Sequence, residues 1–264
     1  MSSYVVVGAS RGIGLEYVRQ LAEKQDALVF AIVRNTSSPY LQHILAEHSN
    51  LHVIQADVMD PHAVERAAME MSGLSGGSLD VLIHNAARTD MRSNFRGFND
   101  YKDLDELDSD FIDSFKVNTL GVVHSIHAFL PLLRRGTEKK IIVLNTEGAS
   151  VSLTLRSGAA DVAAYCTTKA AAAMVTAKYA AAPSKEGFVV VSIAPGVVDT
   201  SATSADDTAA ETFQRIVERM AEAGFRPELL TPAQSVAKQL KVIEGLTQEL
   251  NGALVSNTGD VIPY

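Results

Sequence analysis

Between Tyr4 and Ala22 the chain runs from an apolar strand, Tyr4-Val5-Val6-Val7, into the turn Gly8-Ala9-Ser10-Arg11-Gly12-Ile13-Gly14. A helical pattern follows, Leu15-Glu-Tyr-Val-Arg-Gln-Leu-Ala22. No other feature constrains the fold as tightly as this order of strand, glycine turn and helix. Glycine permits the sharp turn, lets backbone approach a pyrophosphate with no Cβ in the way, and brings the helix close against a sheet. The helix N-terminus adds free N–H groups that suit an anion. The spacing is Gly-x-x-x-Gly-x-Gly rather than the commoner Gly-x-Gly-x-x-Gly, and a turn of this kind can also be purely structural.

The rest of the chain repeats the alternation. Strand-like runs Leu28 to Val33, Leu51 to Ala56, Val81 to Ile83, Ile141 to Asn145 and Phe188 to Ile193 are separated by longer helical stretches. That is the pattern of a parallel sheet wound with helices on both faces. A chain of 264 residues, 47% hydrophobic, carries enough apolar surface for one large core. No internal repeat, proline-rich linker or low-complexity tract divides it, and Ser72-Gly-Leu-Ser-Gly-Gly-Ser78 reads as a plain loop. The expectation is one α/β domain over residues 1–264, a Rossmann-type doubly wound parallel sheet.

Charge and cysteine content narrow the partners. The single cysteine, Cys166, excludes an internal disulfide and fits a reducing compartment. The first strand begins by Tyr4, which leaves no room for a signal or transit peptide, and no apolar run approaches a membrane span. A cytoplasmic protein without a membrane partner is expected. The net charge of -8 argues against a nucleic-acid groove as the main binding surface. His124 and His127 stand at i,i+3, yet no His-Glu-x-x-His or cysteine cluster accompanies them, so no metal is expected.

Chemistry enters with Tyr165 and Lys169, four residues apart at the head of the alanine-rich run Ala163-Ala-Tyr-Cys-Thr-Thr-Lys-Ala. Positions i and i+4 share a helix face. An ammonium beside a phenol favours the phenolate and lowers a pKa that starts near ~10, making such a tyrosine a general acid/base. Taken together, the glycine turn and this Tyr-x-x-x-Lys resemble the short-chain dehydrogenase/reductase family, in its NADP-dependent carbonyl reductase branch. Asp57-Val58 after the third predicted strand resembles the family's adenine-contacting pair. His84-Asn85-Ala86-Ala87 after the fourth is similar to its Asn-Asn-Ala-Gly, departing at His84 and Ala87. Phe115-Lys-Val-Asn118-Thr-Leu-Gly121 resembles the helix that carries its active-site asparagine, and Pro195-Gly-Val-Val198-Asp-Thr200 its nicotinamide-side loop.

The resemblance implies cofactor contacts from Gly8, Ser10, Arg11, Gly12, Ile13, Gly14, Arg34, Asn35, Asp57, Val58, Asn85, Lys169, Val198 and Thr200. Charge selects between the two nicotinamide cofactors. An acid after the second strand would bind a ribose 2'-hydroxyl, whereas this strand ends Ala31-Ile-Val-Arg34-Asn35 and Arg11 adds a second guanidinium, favouring the 2'-phosphate of NADP(H). Residues 201–225 stand where the family places a mobile substrate lid; the Ala170–Ala173 run reads as a close-packing helix face, and the resemblance, in which such helices pair between subunits, implies a homodimer or homotetramer. The polar stretch Arg88 to Asp110 reads as a solvated loop and helix start.

One departure bears on mechanism. The family usually has Ser-Ser after the fifth strand, where this chain reads Leu144-Asn145-Thr146-Glu147-Gly148-Ala149-Ser150. Aligned on its apolar core, the strand offers Thr146 as the hydroxyl; aligned on Asn145, it offers Gly148, and the hydroxyl is absent or comes from Ser150. The segment to Tyr165 is also longer than usual. Cys166 has no base or zinc partner at ligand spacing and reads as a small packed side chain. The reading is an NADPH-dependent oxidoreductase acting on a small ketone or aldehyde, with Tyr165, Lys169, Thr146 and Asn118 as catalytic residues. The alternative is an NADP(H)-binding protein of the same fold with weak or no reductase activity.

Overall fold

In a computed structural model, which describes residues 1–89, 95–182 and 186–263, seven strands form one parallel sheet. In chain order these are β1 (Ser2–Val7), β2 (Ala27–Val33), β3 (Leu51–Gln55), β4 (Val81–His84), β5 (Lys140–Leu144), β6 (Val189–Ile193) and β9 (Leu254–Val255). Their spatial order is β3-β2-β1-β4-β5-β6-β9. The chain leaves β1 toward β2 on one side and returns to β4 on the other, so the strand order reverses between β1 and β4. At such a switch point the loops beyond the carboxyl ends diverge and leave a crevice for a ligand.

Val5, Val6 and Val7 are wholly buried because alternate side chains of β1 enter two separate cores, one on each face of the sheet. The first core is roofed by α1 (Gly12–Ala22), α2 (Pro39–Glu47) and α9 (Pro232–Glu244). The second lies under α3 (Pro61–Leu74), α5 (Gly121–Leu133) and α7 (Ala163–Ala181), with α4 (Leu104–Phe115) leading into α5. Local chemistry sets the helix starts. The Asp60 carboxylate accepts from the amides of His62 and Ala63 ahead of α3, Asp103 caps Glu106 in α4, and Thr231 with Gln234 forms a capping box on α9.

The strands match the runs expected from sequence to within one residue at each end, except that β1 begins two residues earlier, at Ser2. Three short elements carry too few residues to show periodicity: β9, and the pair β7 (Val197–Val198) with β8 (Leu229–Leu230). The extra length before Tyr165 is not an irregular insertion. It holds a 3-10 turn, Glu147–Ala149, and a two-turn helix, α6 (Val151–Ser157). The stretch expected as a lid contains the 3-10 turn Ser201–Thr203 and the amphipathic helix α8 (Ala209–Glu222).

Candidate active site

At the carboxyl end of β1 the backbone turns with Gly8 at φ +86°, and a Cβ there would lie 2.6 Å from the α-carbon of Ala86. A Cβ on Gly14 would lie 2.2 Å from the carbonyl oxygen of Gly8 and 2.4 Å from Nδ2 of Asn85. Only glycine fits at either position, because β1, β4 and the start of α1 meet there backbone to backbone. Asn85 braces this junction by donating from Nδ2 to the Gly8 carbonyl at 2.7 Å. Arg11 precedes α1 and makes no side-chain cap to its first-turn N–H groups. The amide of Gly12 donates to Thr203 Oγ1 at 2.8 Å, and the methyl of Thr200 lies against Gly12, so the segment after β7 folds down over the glycine turn.

The other expected cofactor positions surround this crevice. Arg11 and Arg34 are exposed, and among the described residues neither pairs with a carboxylate. Asn35 forms a local turn by accepting from the Ser37 amide, and the Ser10 carbonyl accepts from the hydroxyl of Ser38 at 2.8 Å. Asp57 accepts from the Met59 amide, while Val58 is buried and its carbonyl meets Nδ1 of His124 at 2.7 Å. Ile13 packs into the core under α1, and Val198 lies in β7, paired with Leu230. The donors, glycines and free guanidiniums are those a dinucleotide carrying an extra phosphate needs. Among the described residues no group of three or more His, Cys, Asp or Glu side chains is placed to hold a metal, and no helix is long and apolar enough to cross a membrane.

Beyond the ends of β4 and β5, Tyr165, Lys169 and Asn118 come together. Lys169 is 2% exposed, donates from Nζ to the Leu144 carbonyl at 2.7 Å, and holds Nζ 5.8 Å from the centroid of the Tyr165 ring. Burial pushes the lysine pKa down to about 8. Burial pushes the Tyr165 phenol up, with a smaller contribution from Cys166. The shift runs opposite to the lowered phenol expected from the i,i+4 lysine: partial removal from water disfavours the phenolate, so Tyr165 is protonated at neutral pH. Val162, three residues before Tyr165, sits at φ 55° and ψ 31°. A β-branched residue in the left-handed region is strained by roughly 1–2 kcal/mol, and that strain sets the angle at which α7 begins.

Asn118 lies in a π-turn, Lys116–Leu120, between α4 and α5. Its side chain is fully committed. Oδ1 accepts from the amide of Arg88 at 2.7 Å, and Nδ2 donates to the Arg88 carbonyl at 3.2 Å and to Thr168 Oγ1 at 3.1 Å. Thr168 in turn donates to the Tyr165 carbonyl at 2.9 Å, tying the π-turn to the helix that bears the tyrosine.

The hydroxyl question has a geometric side. Ser150 is wholly buried, donates to the carbonyl of Pro263 and caps the Leu153 amide, so it faces the C-terminal segment. The Thr146 hydroxyl oxygen accepts from the Gly148 amide at 3.2 Å, which leaves its own proton available. A Cβ on Gly148 would fall 2.7 Å from Cys166 Sγ and 3.6 Å from Thr146 Oγ1. The thiol beside Tyr165 therefore fills the space that a side chain at position 148 would need. Burial, then Asp161, pushes that thiol up to about 11, so it is no thiolate at neutral pH.

These glycines, the Tyr165–Lys169 pair and the strand order coincide with a match of the short chain dehydrogenase family profile to residues 3–211. The chain belongs to the short-chain dehydrogenase family. A short-chain dehydrogenase/reductase of Arthrinium sp., atnB, is 36% identical with 98% of each chain covered, and AacuF of Aspergillus aculeatus is 35% identical over the same share. Among solved structures, the NADPH-bound carbonyl reductase from chicken fatty liver superposes with a TM-score of 0.76 at 25% identity, covering 100% of this chain and 99% of that one. The Drosophila melanogaster carbonyl reductase Sniffer superposes at 0.79 and 21% identity with both chains fully covered, which shows the shared fold.

Two features of this family member make contacts that the sequence reading did not anticipate. His84, at the end of β4, is wholly buried, with Nδ1 3.1 Å from Ser125 Oγ and Nε2 without a hydrogen-bond partner among the described residues. Burial and the nearby Lys169 push its pKa down to about 3, so it is neutral. The stretch from Arg88 to Asp110 is not simply solvated: Arg88, Tyr101 and Asp110 join in a largely buried network with Ser114. Residues 90–94 of that stretch lie outside the described residues. The signal was available in the spacing of Asp110, Ser114 and Asn118, which repeats every four residues along one helix face.

Proposed function

We propose that this protein reduces the carbonyl of a small ketone or aldehyde to an alcohol with NADPH. The observation that carries the reading is the convergence of Tyr165, Lys169 and Asn118, linked through Thr168, beside a glycine turn flanked by two free guanidiniums. The glycine turn with Ser10, Ile13, Asp57, Val58, Asn85, Val198 and Thr200 would hold the dinucleotide, Arg11, Arg34 and Asn35 its 2'-phosphate end, and Lys169 the nicotinamide ribose. When bound, NADPH supplies the hydride.

The protein's own residues handle the oxygen and the proton. Charge develops on the carbonyl oxygen as the C–H bond forms, and Tyr165 donates its proton there while the Thr146 hydroxyl hydrogen-bonds the same atom. With its pKa raised by burial, the phenol is protonated near neutrality and carries the proton that the carbonyl oxygen takes up; the direction of reduction follows from cells keeping NADPH reduced. Lys169 places a positive charge behind the phenolate left after transfer, and Asn118 anchors a water through which the proton is replaced. The segment over residues 201–225 closes on the crevice as a substrate lid, and assembly is as a homodimer or homotetramer in the cytoplasm. The chicken enzyme's NADPH supports the cofactor choice.

The test is turnover of NADPH by the purified protein with a panel of ketones, quinones and aldehydes. Tyr165→Phe should keep NADPH affinity and lower kcat by about 10² to 10⁴. Near-normal turnover in that variant removes the central claim. A second reading, cofactor binding with weak or no reduction, is favoured by Gly148 where the family usually has serine. NADPH binding without turnover of any carbonyl by the unmodified protein would select it.

A further inference from the structure

Because both N–H groups of the Asn118 amide and its Oδ1 are occupied by Arg88 and Thr168, Asn118 has no side-chain donor left for a substrate or a relay. With its side chain committed, Asn118 acts on the relay through its main chain, and the π-turn Lys116–Leu120 sets where that main chain sits. The placement of that turn therefore matters, and Arg88 grips it twice. Its peptide group holds the Asn118 amide. Its guanidinium reaches back along α4, where Nη1 donates to Asp110 and to Ser114 Oγ at 2.8 Å. Asp110, Ser114 and Asn118 are successive steps of four residues, so one residue spans two helical turns and the distorted turn that follows.

The pair is built into the protein. Asp110 is 8% exposed and Ser114 2%, and the second carboxylate oxygen of Asp110 accepts from the Tyr101 hydroxyl at 2.8 Å. An arginine–carboxylate pair out of water makes directional, charge-assisted bonds, so it fixes geometry as well as supplying attraction. Arg88 also follows Asn85, Ala86 and Ala87 directly. The same short segment that braces the glycine turn through Asn85 thus sets the π-turn through Arg88, and cofactor crevice and active-site asparagine share one rigid mount.

We propose that Arg88 is a positioning residue: its guanidinium, locked by Asp110 and Ser114, holds the π-turn in register so that the Asn118 main chain meets the relay from Lys169. This rests on the reductase reading above. Arg88→Met alone would strand a buried carboxylate, so the informative variant is Arg88→Met with Asp110→Asn, which is neutral and still offers Tyr101 an acceptor.

Two readouts separate positioning from mere stability. In the double variant, amide hydrogen exchange should quicken across residues 116–121 while β1 and β4 stay protected. The ketone kcat should fall by roughly ten- to a hundredfold, with NADPH Kd and ketone KM within about threefold of the unmodified protein. Adding Asn118→Ala should cost nothing further, since both changes release the same turn. Unchanged exchange and kcat in the folded double variant overturn the proposal, as does a full multiplicative loss on adding Asn118→Ala. Should the double variant not fold, Arg88→Lys and Ser114→Ala keep the charge pair and cut the fork; unmodified kcat in both overturns the proposal. If the unmodified protein reduces no carbonyl, the reductase reading fails separately, and the exchange data still decide whether Arg88 holds the turn.

Discussion

Lys169→Met should leave the cofactor-free protein at least as stable at pH 7 while abolishing ketone reduction. Lys169 keeps an ammonium 2% exposed, and burial pushes its pKa from 10.5 to about 8. At about 1.36 kcal/mol per unit, that depression means roughly 3 kcal/mol spent holding the charge out of water when both folded and unfolded states are protonated. Methionine is similar in volume and carries no charge, but it abandons the bond to the Leu144 carbonyl, a loss of about 1–3 kcal/mol. The net gain at pH 7 is therefore about 0–2 kcal/mol. Between pH 8 and the unfolded lysine pKa, the unfolded chain binds more protons at this group than the folded one, so the unmodified protein gains stability as pH rises. The difference between the two proteins should move by about 2 kcal/mol toward the unmodified protein between pH 8 and pH 9.5, with other titrations cancelling in the comparison. Urea unfolding followed by circular dichroism measures it, because the chain has no tryptophan for fluorescence. A stability difference that stays flat with pH would refute the burial of a charged lysine. Reductase rate at low NADPH should fall as pH passes through about 8, where the ammonium is lost.

The other expectations concern the cofactor and the hydroxyl. Arg34→Asp sets a negative charge against a 2'-phosphate, so NADPH affinity should drop about ten- to a hundredfold, the worth of a charge-assisted bond, and preference should move toward NADH; equal binding of the two cofactors by the unmodified protein ends that argument. Thr146→Val removes a hydroxyl and keeps the branched shape, with an expected loss of about 2–4 kcal/mol in kcat terms for one ketone at saturating NADPH. Ser150→Ala should instead cost about 1 kcal/mol of stability through the lost cap and leave kcat unaltered. A kcat loss in Ser150→Ala but not Thr146→Val would assign the hydroxyl the other way.

The sequence alone determined the sheet, the glycine turn and the Tyr165–Lys169 pair, because each rests on local order. β1 is apolar without interruption since both its faces are buried, Gly8, Gly12 and Gly14 follow it directly along the chain, and i,i+4 places the tyrosine and lysine on one helix face; that Gly8 and Gly14 admit no side chain is decided by Asn85 and Ala86, just after β4. Tertiary structure decided whatever depended on groups distant in sequence. The phenol is pushed up because the surrounding elements take much of it out of water, a partial burial no spacing reveals. Asp110 is a structural counter-ion because Arg88, 22 residues earlier, is folded back onto α4. Gly148 stands beside the tyrosine where Cys166 occupies the space a side chain would fill, and Ser150 is turned toward the carbonyl of Pro263, 113 residues away. A residue's type fixes what bonds it can make; only the packed chain fixes which partner claims them.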